Sequence, residues 1–120
     1  MSNCIKKPVD LKRQIKNVGN YLRLKYGKDR FYSIDQVKIS NKYNNIGRQA
    51  SCWSHAFFND EFDFNLMYSS LDKSCSYASM RLSIINDLNI PNAAISEIDI
   101  YKMSWKDLSD LDISFVDFLI

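Results

Sequence analysis

The sequence is poor in the residues that usually mark a catalytic or cofactor site. Its 120 residues contain one histidine, three cysteines, three glycines and two prolines. The glycines are far apart, so no glycine-rich loop that cradles a phosphate or a dinucleotide is predicted. The cysteines lack paired spacing, which favours reduced thiols and a cytoplasmic location over a disulfide framework. We therefore expect no cofactor.

Long apolar runs are also missing. No stretch approaches the roughly 20 apolar residues that span a bilayer. The N-terminal segment is basic but has no apolar region typical of a secretory signal, so we expect neither secretion nor a membrane partner. The apolar and charged fractions, 46% and 25%, are ordinary for a globular protein. The length predicts one domain over residues 1–120.

Negative charge is scarce in the first part of the chain. Residues 1–50 carry twelve lysines or arginines against three aspartates and no glutamate, a net charge of +9. Residues 51–120 carry four lysines or arginines against eleven acidic residues, a net charge of −7. Such asymmetry indicates a polyanion-binding end, an acidic end directed at a basic partner, or two halves that attract each other.

Apolar periodicity predicts an all-α fold of five or six short helices. The first helix follows Asp10 and ends at Gly27. A capping box and a hydrophobic staple at Ser33 predict the start of a second helix, which ends near Tyr43. A third helix is predicted over about 48–58. The apolar stripe of the first helix consists of Leu11, Ile15, Val18 and Leu22.

The second half of the chain is less regular. Asn59 is the predicted N-cap of a fourth helix, whose first-turn carboxylates we interpret as cap charges rather than as a cation site. Ser76 caps a fifth helix, and a capping-box-like sequence at 104–107 predicts a further one. The segment 95–103 fits neither period and predicts at most one short strand. The side chains predicted to share a dry interior are Cys52, Trp53, Phe57, Phe62, Tyr77 and Met80.

Cys52 and His55 form a candidate grouping of a nucleophile with a base, or of two metal ligands. A thiol enzyme needs an exposed thiol and an oriented imidazole, and a zinc site needs a second closely spaced ligand pair, which the sequence lacks. The aromatic neighbours of both residues favour a packed interior helix and a structural histidine. We therefore predict no catalytic residue and no metal ligand.

The basic half supports a nucleic-acid-binding alternative. The helix, turn and helix over 33–58 have about the length of a DNA-reading motif. Its candidate base contacts are Arg48, Gln49, Ser51 and Ser54, but the aromatic residues of the same helix favour a core position. Phosphate contacts are therefore predicted rather than base readout. The residues that would make them are Lys12, Lys16, Arg23, Lys25, Lys38, Lys42 and Arg48.

Four sparse blocks resemble a family of small bacterial proteins of unknown function. The blocks are Tyr26-Gly27, Tyr32-Ser33-x-x-Gln36-Val37, Cys52-x-x-x-Ala56-x-Phe58 and Cys75-x-Tyr77-x-x-Met80-Arg81. In that family the last two read Cys-Tyr-Ala-x-Ala-x-Phe and Cys-Asp-Tyr-x-x-Met-Arg, and this sequence departs with Trp53-Ser54 and Ser76. The resemblance covers about 21–82 and implies no activity. It implies that Cys52, Cys75, Tyr77 and Arg81 share a structural centre, with Arg81 beside aromatic rings or paired with Asp60 or Asp63.

The combined pattern favours a small non-enzymatic binding protein that acts by protein–protein interaction, such as a bacterial immunity or inhibitor protein. An acidic, aromatic segment suits steering toward a protein with a basic surface, with aromatic anchors at the contact. The apolar residues 118–120 also allow a homodimer. The predicted partner contacts are Trp105, Asp107, Asp110, Asp112, Phe115, Asp117 and Phe118.

Overall fold

The computed structural model describes residues 7–68, 76–88 and 104, and these residues contain five helices and no strand. The all-α prediction is therefore confirmed for the described part of the chain. The predicted strand near 95–103 and the helix predicted from 104 onward lie outside it. The helices are α1 Leu11–Tyr26, α2 Ile34–Tyr43, α3 Arg48–Phe58, α4 Glu61–Tyr68 and α5 Tyr77–Asp87. None of these five combines the length and the apolar character needed to cross a membrane.

Local signals set the ends of the first two helices. Asp10 precedes α1, although its side chain makes no capping hydrogen bond. Gly27 ends α1 with φ +88° and ψ 174°, a conformation that is almost restricted to glycine. At the start of α2, Ser33 Oγ accepts from the Gln36 backbone N–H at 3.1 Å. Gln36 Oε1 accepts from the Ser33 N–H at 3.0 Å, so the predicted capping box is confirmed.

The start of α4 differs from the prediction. Asp60, rather than Asn59, caps this helix, because Asp60 Oδ1 accepts from the Asp63 backbone N–H at 2.9 Å. Asn59 is buried one residue earlier and uses its side chain in the interior. The predicted cap of α5 is confirmed, since Ser76 Oγ accepts from the Ser79 N–H at 3.2 Å.

The third helix occupies the centre of the described fold. α3 packs against each of the other four helices. Every residue from Cys52 to Phe58 is buried, so this part of the helix is enclosed on all sides rather than along one stripe. The predicted apolar stripe of α1 is buried against it, as is the inner face of α5. The α5 residues in this core are Tyr77, Met80, Ile84 and Ile85, with Leu88 directly after the helix.

The predicted interior is confirmed for five of its six members, and the prediction for Phe62 is wrong. The Phe62 side chain is 71% exposed, and Phe64 is buried in its place. Because Phe62 and Phe64 are two residues apart, their side chains point about 200° apart around the helix axis. Only one of these rings can therefore face α3. The Phe64 ring lies 5.0 Å from that of Tyr68 and 5.4 Å from that of Tyr77, measured between ring centres.

We predict that Gly27→Ala lowers the free energy of unfolding by about 1–3 kcal/mol, because alanine is strained at the Gly27 backbone angles. The strain is local to the backbone, since no atom beyond the adjoining residues lies within 4 Å of the added methyl group. Gly47→Ala is the matched control, because Gly47 has equally open space and an ordinary φ of −67°. Urea unfolding of both variants measures the difference, and equal losses would contradict the role given to the Gly27 backbone.

Candidate functional site

Arg81 on α5 lies at the centre of a buried polar group of side chains. Its side chain is fully buried, and Nη1 donates to the carbonyl of Ala56 at 3.1 Å and to that of Phe57 at 2.9 Å. Both carbonyls belong to the last turn of α3, where helical hydrogen bonding leaves them without intrahelical donors. The positive guanidinium also lies at the negative end of the α3 dipole, which is a favourable interaction. Arg81 therefore caps α3 from a different helix.

Aromatic rings surround the same guanidinium. Its central carbon lies 5.0 Å from the ring centre of Tyr77, 5.2 Å from that of Phe57 and 5.7 Å from that of Phe31. These distances are in the range of cation–π attraction, which strengthens when water is excluded. The placement of Arg81 beside aromatic rings, which the family resemblance implied, is confirmed; Cys75 lies outside the described residues.

Asn59 connects the end of α3 to its neighbours. Its Nδ2 donates to the Tyr32 carbonyl at 2.8 Å, and its own carbonyl accepts from the Tyr77 hydroxyl at 2.8 Å. Its remaining polar side-chain atom, Oδ1, contacts His55 Nδ1. Because an amide oxygen can only accept, the neutral imidazole carries its proton on Nδ1. Burial raises the pKa of the Tyr77 hydroxyl to about 12, so this donor stays protonated at neutral pH.

Cys52 and His55 are both buried on α3, as the prediction of a packed interior helix requires. Burial lowers the pKa of His55, the nearby positive charge of Lys38 lowers it further, and the Asn59 contact opposes both. Cys52 Sγ lies 3.7 Å from the Gln49 carbonyl of the same helix. The two residues are only 3% and 2% exposed, so both lie within the core. Among residues 7–68, 76–88 and 104, no three histidine, cysteine or acidic side chains are grouped to hold a metal ion.

The helix-turn-helix interpretation of 33–58 requires α3 to be exposed as a recognition helix, but most of α3 is buried. α3 packs against the other four helices and is buried from Cys52 to Phe58, which leaves its first turn as the part accessible to a ligand. Ser54, predicted as a base contact, is buried and accepts from Gln14 Nε2 at 2.9 Å. Arg48 and Gln49 are exposed, but they lie at the first turn of α3. The residues predicted to contact phosphates remain on the exterior to different extents: Lys25, Lys38, Lys42 and Arg48 are exposed, and Lys12, Lys16 and Arg23 are half-buried.

A concave surface with a volume of about 370 Å³, which we call the tyrosine groove, lies between α1 and the end of α2. The rings of Tyr21 and Tyr43 are 4.5 Å apart between centres and tilted by 34°. Lys25 Nζ donates to the Tyr21 hydroxyl at 3.0 Å, and this bond raises the pKa of Lys25. The groove is lined by Asn17, Asn20, Tyr21, Leu24, Lys25, Tyr43 and Asn44.

Sequence reasoning missed the tyrosine pair. The available signal is that Tyr21 lies beside Leu22 but outside the apolar stripe of α1, while Tyr43 ends an amphipathic helix. Neither observation alone reveals that the two rings meet. Of the residues predicted to contact nucleic acid, Lys25 lines the groove.

A second exposed surface, which we call the α4 face, combines acidic and apolar side chains. Phe62 and Leu66 are 71% and 63% exposed, and they lie one helical turn apart. Asp60, Glu61 and Asp63 lie beside them at the start of α4. Burial raises the pKa of Asp63, and repulsion from Asp60 adds to this effect. The residues predicted to contact a partner, all between 105 and 118, lie outside the described part of the chain.

We predict that Arg81→Met lowers the free energy of unfolding by about 3 kcal/mol, because two buried carbonyls lose a charged donor. Arg81→Lys retains the charge without the guanidinium fork, so a smaller loss is expected. Leu82→Met is the control on the exposed side of α5, with an expected change within about 0.5 kcal/mol. Chemical denaturation measures all three; an Arg81→Met variant as stable as the native protein would contradict the capping role.

We also predict that the stability depends on pH through His55. Because its folded pKa is lowered, the unfolded chain binds the proton more tightly, and stability is lost as pH falls below the ordinary value of 6.5. The loss reaches at most about 1.4 kcal/mol per pH unit. Urea unfolding at pH 7 and pH 5 measures it, with His55→Gln as a variant that cannot titrate. An equal loss in that variant would assign the effect to other groups.

Comparison with known proteins identifies the family of this chain. No curated protein and no solved structure matches it. A profile of a family of unknown function, DUF6559, matches residues 1–110. The predicted resemblance to a family of unknown function is confirmed, and the match extends beyond residues 21–82, on which that prediction was based. The chain therefore belongs to the DUF6559 family.

Proposed function

We propose that this is a small non-enzymatic binding protein that acts by protein–protein interaction, with the α4 face as a contact for a partner that carries a basic surface. The observation that carries the proposal is the exposure of Phe62 and Leu66 within an acidic surrounding. Large aromatic side chains at the centre of a contact supply much of the binding energy once water is excluded. A rim of carboxylates steers an oppositely charged partner toward them.

The arrangement of α4 supports this proposal. The helix has an alternative apolar pair, Phe64 and Tyr68, which packs against the core, so Phe62 and Leu66 are not needed to bury this helix. A second apolar pair turned to water has no evident benefit for an isolated fold. Asp63 gives a further argument. Burial and repulsion from Asp60 raise its pKa, and the positive charge of a basic partner would stabilise its carboxylate.

The interior supports the non-enzymatic part of the proposal. Within the described part of the chain, the histidine and the cysteine, His55 and Cys52, are both buried. The His55 ring is used to orient Asn59, which in turn holds Tyr32 and Tyr77. We place the working surfaces on the exterior for this reason. An immunity or inhibitor role follows the same logic, because such proteins act by covering a functional surface of the partner.

We predict that Phe62→Ala weakens partner binding by about tenfold or more, because a central aromatic anchor is removed. Affinity capture from cells that express the protein, followed by titration of the captured partner, measures the effect. Leu82→Ala is the matched control, because Leu82 is also an exposed apolar residue but lies on α5.

A chain shortened before residue 105 tests the predicted C-terminal contacts in the same assay, with circular dichroism as the check on helix content. The expected result is a partner with a basic surface that the native chain and Leu82→Ala retain and Phe62→Ala loses. Equal retention by both variants would contradict the contact through α4.

A further inference from the structure

We infer that the tyrosine groove binds single-stranded nucleic acid, with a base stacked on Tyr43 and phosphates held by Lys25 and Arg13. This site is separate from the α4 face and does not depend on the protein partner proposed above. The inference combines an exposed aromatic platform, carboxamide side chains and two cations on two adjoining concave surfaces.

The tyrosine pair provides the stacking surface. One face of the Tyr43 ring packs on Tyr21 at 4.5 Å between ring centres, and the side chain is still 69% exposed. Tyr21 therefore packs on one face of the Tyr43 ring, and the opposite face is open to a ligand. Sequence-tolerant binders of single strands use aromatic platforms of this kind, because every base has a face that can stack.

Three asparagines provide hydrogen-bonding groups around this platform. Asn44 Nδ2 donates to the Ser40 carbonyl at 2.9 Å and lies 3.5 Å from the Asn17 carbonyl, so its oxygen is the atom left to accept from a ligand. Asn20 Oδ1 is buried and has no hydrogen-bond partner. Carboxamides both donate and accept, which matches the mixed edges of unpaired bases.

Positive charge extends along the groove. A second concave surface of about 280 Å³ shares Asn17 and Asn44 with the tyrosine groove and adds Arg13. Arg13 and Lys25 lie twelve residues apart on α1, which is about 18 Å along the helix. This distance accommodates a short single strand with phosphates at both ends. Asp10, at the far end of the second surface, is the one carboxylate among the lining residues of the two surfaces.

A single strand fits these features better than a duplex or an acidic peptide. A duplex hides the faces of its bases, so the open face of Tyr43 would have no partner. An acidic peptide would satisfy Lys25 and Arg13 but offers fewer planar groups for the tyrosine pair. The two concave surfaces share Asn17 and Asn44 and are therefore continuous, which suits an extended strand.

Fluorescence anisotropy with a labelled single-stranded oligonucleotide of about 12 nucleotides tests the inference. Tyr43→Leu is expected to weaken binding about tenfold, because leucine keeps apolar bulk but cannot stack with a base. Lys25→Gln is expected to reduce the slope of log affinity against log salt by about 0.7, since one phosphate contact is lost. The controls are Phe62→Leu, at an exposed aromatic residue of the α4 face, and Lys28→Gln, at an exposed lysine that lines neither concave surface. Affinity should change less than twofold in both.

Several results would overturn the inference. They are no binding of the native protein at about 50 mM salt, equal affinity for a duplex of the same length, or equal effects of Tyr43→Leu and Phe62→Leu. Self-association that both Tyr43→Leu and Phe62→Leu abolish would also overturn it, because the α4 face of a second copy would then occupy the groove. Capture of a protein partner through the α4 face is measured separately and is unaffected by these outcomes.

Discussion

The hydrogen bonds from Arg81 to the last turn of α3 are the interaction on which the described fold most depends. α3 is buried from Cys52 to Phe58, so its last turn lies in the interior and its final carbonyls need protein donors in place of water. Asn59 and Tyr32 supply backbone donors to the carbonyls of His55 and Phe58. Arg81 supplies the two donors between them, so α5 is held at one position relative to α3.

The same constraint engages further polar side chains of the interior. Among the described residues, His55 and Tyr77 both contact Asn59, the residue that follows α3. The exterior then carries two faces of different character. The α4 face is acidic and apolar, whereas the tyrosine groove is aromatic and is lined by Lys25, with Arg13 on the adjoining surface. Because the acidic α4 face and the tyrosine groove are separate, each can bind its own partner. The two proposals can therefore be tested independently.

The sequence predicted those features that depend on neighbours within one or two helical turns. The Ser33 capping box and the apolar stripe of α1 are of this kind, because all interacting residues are close along the chain. Phe62 and Asn59 were predicted wrongly because their positions depend on how α4 is rotated against α3, which no local pattern records. The Tyr21–Tyr43 pair could not be predicted for a related reason. It forms between two helices, and its geometry depends on the angle and register at which they pack.

The register between α1 and α2 is set by polar contacts rather than by apolar packing alone. Ser40 Oγ donates to the Val18 carbonyl at 3.2 Å, inside the interface. Asn44 reaches from the end of α2 toward the Asn17 carbonyl. Hydrogen bonds are directional, so together these contacts restrict the sliding and rotation that apolar side chains alone would allow. Tyr43 is consequently held on Tyr21 before any ligand arrives. A site that is already formed on two rigid helices avoids much of the ordering cost of binding, and this favours recognition by the groove even though its surface is small.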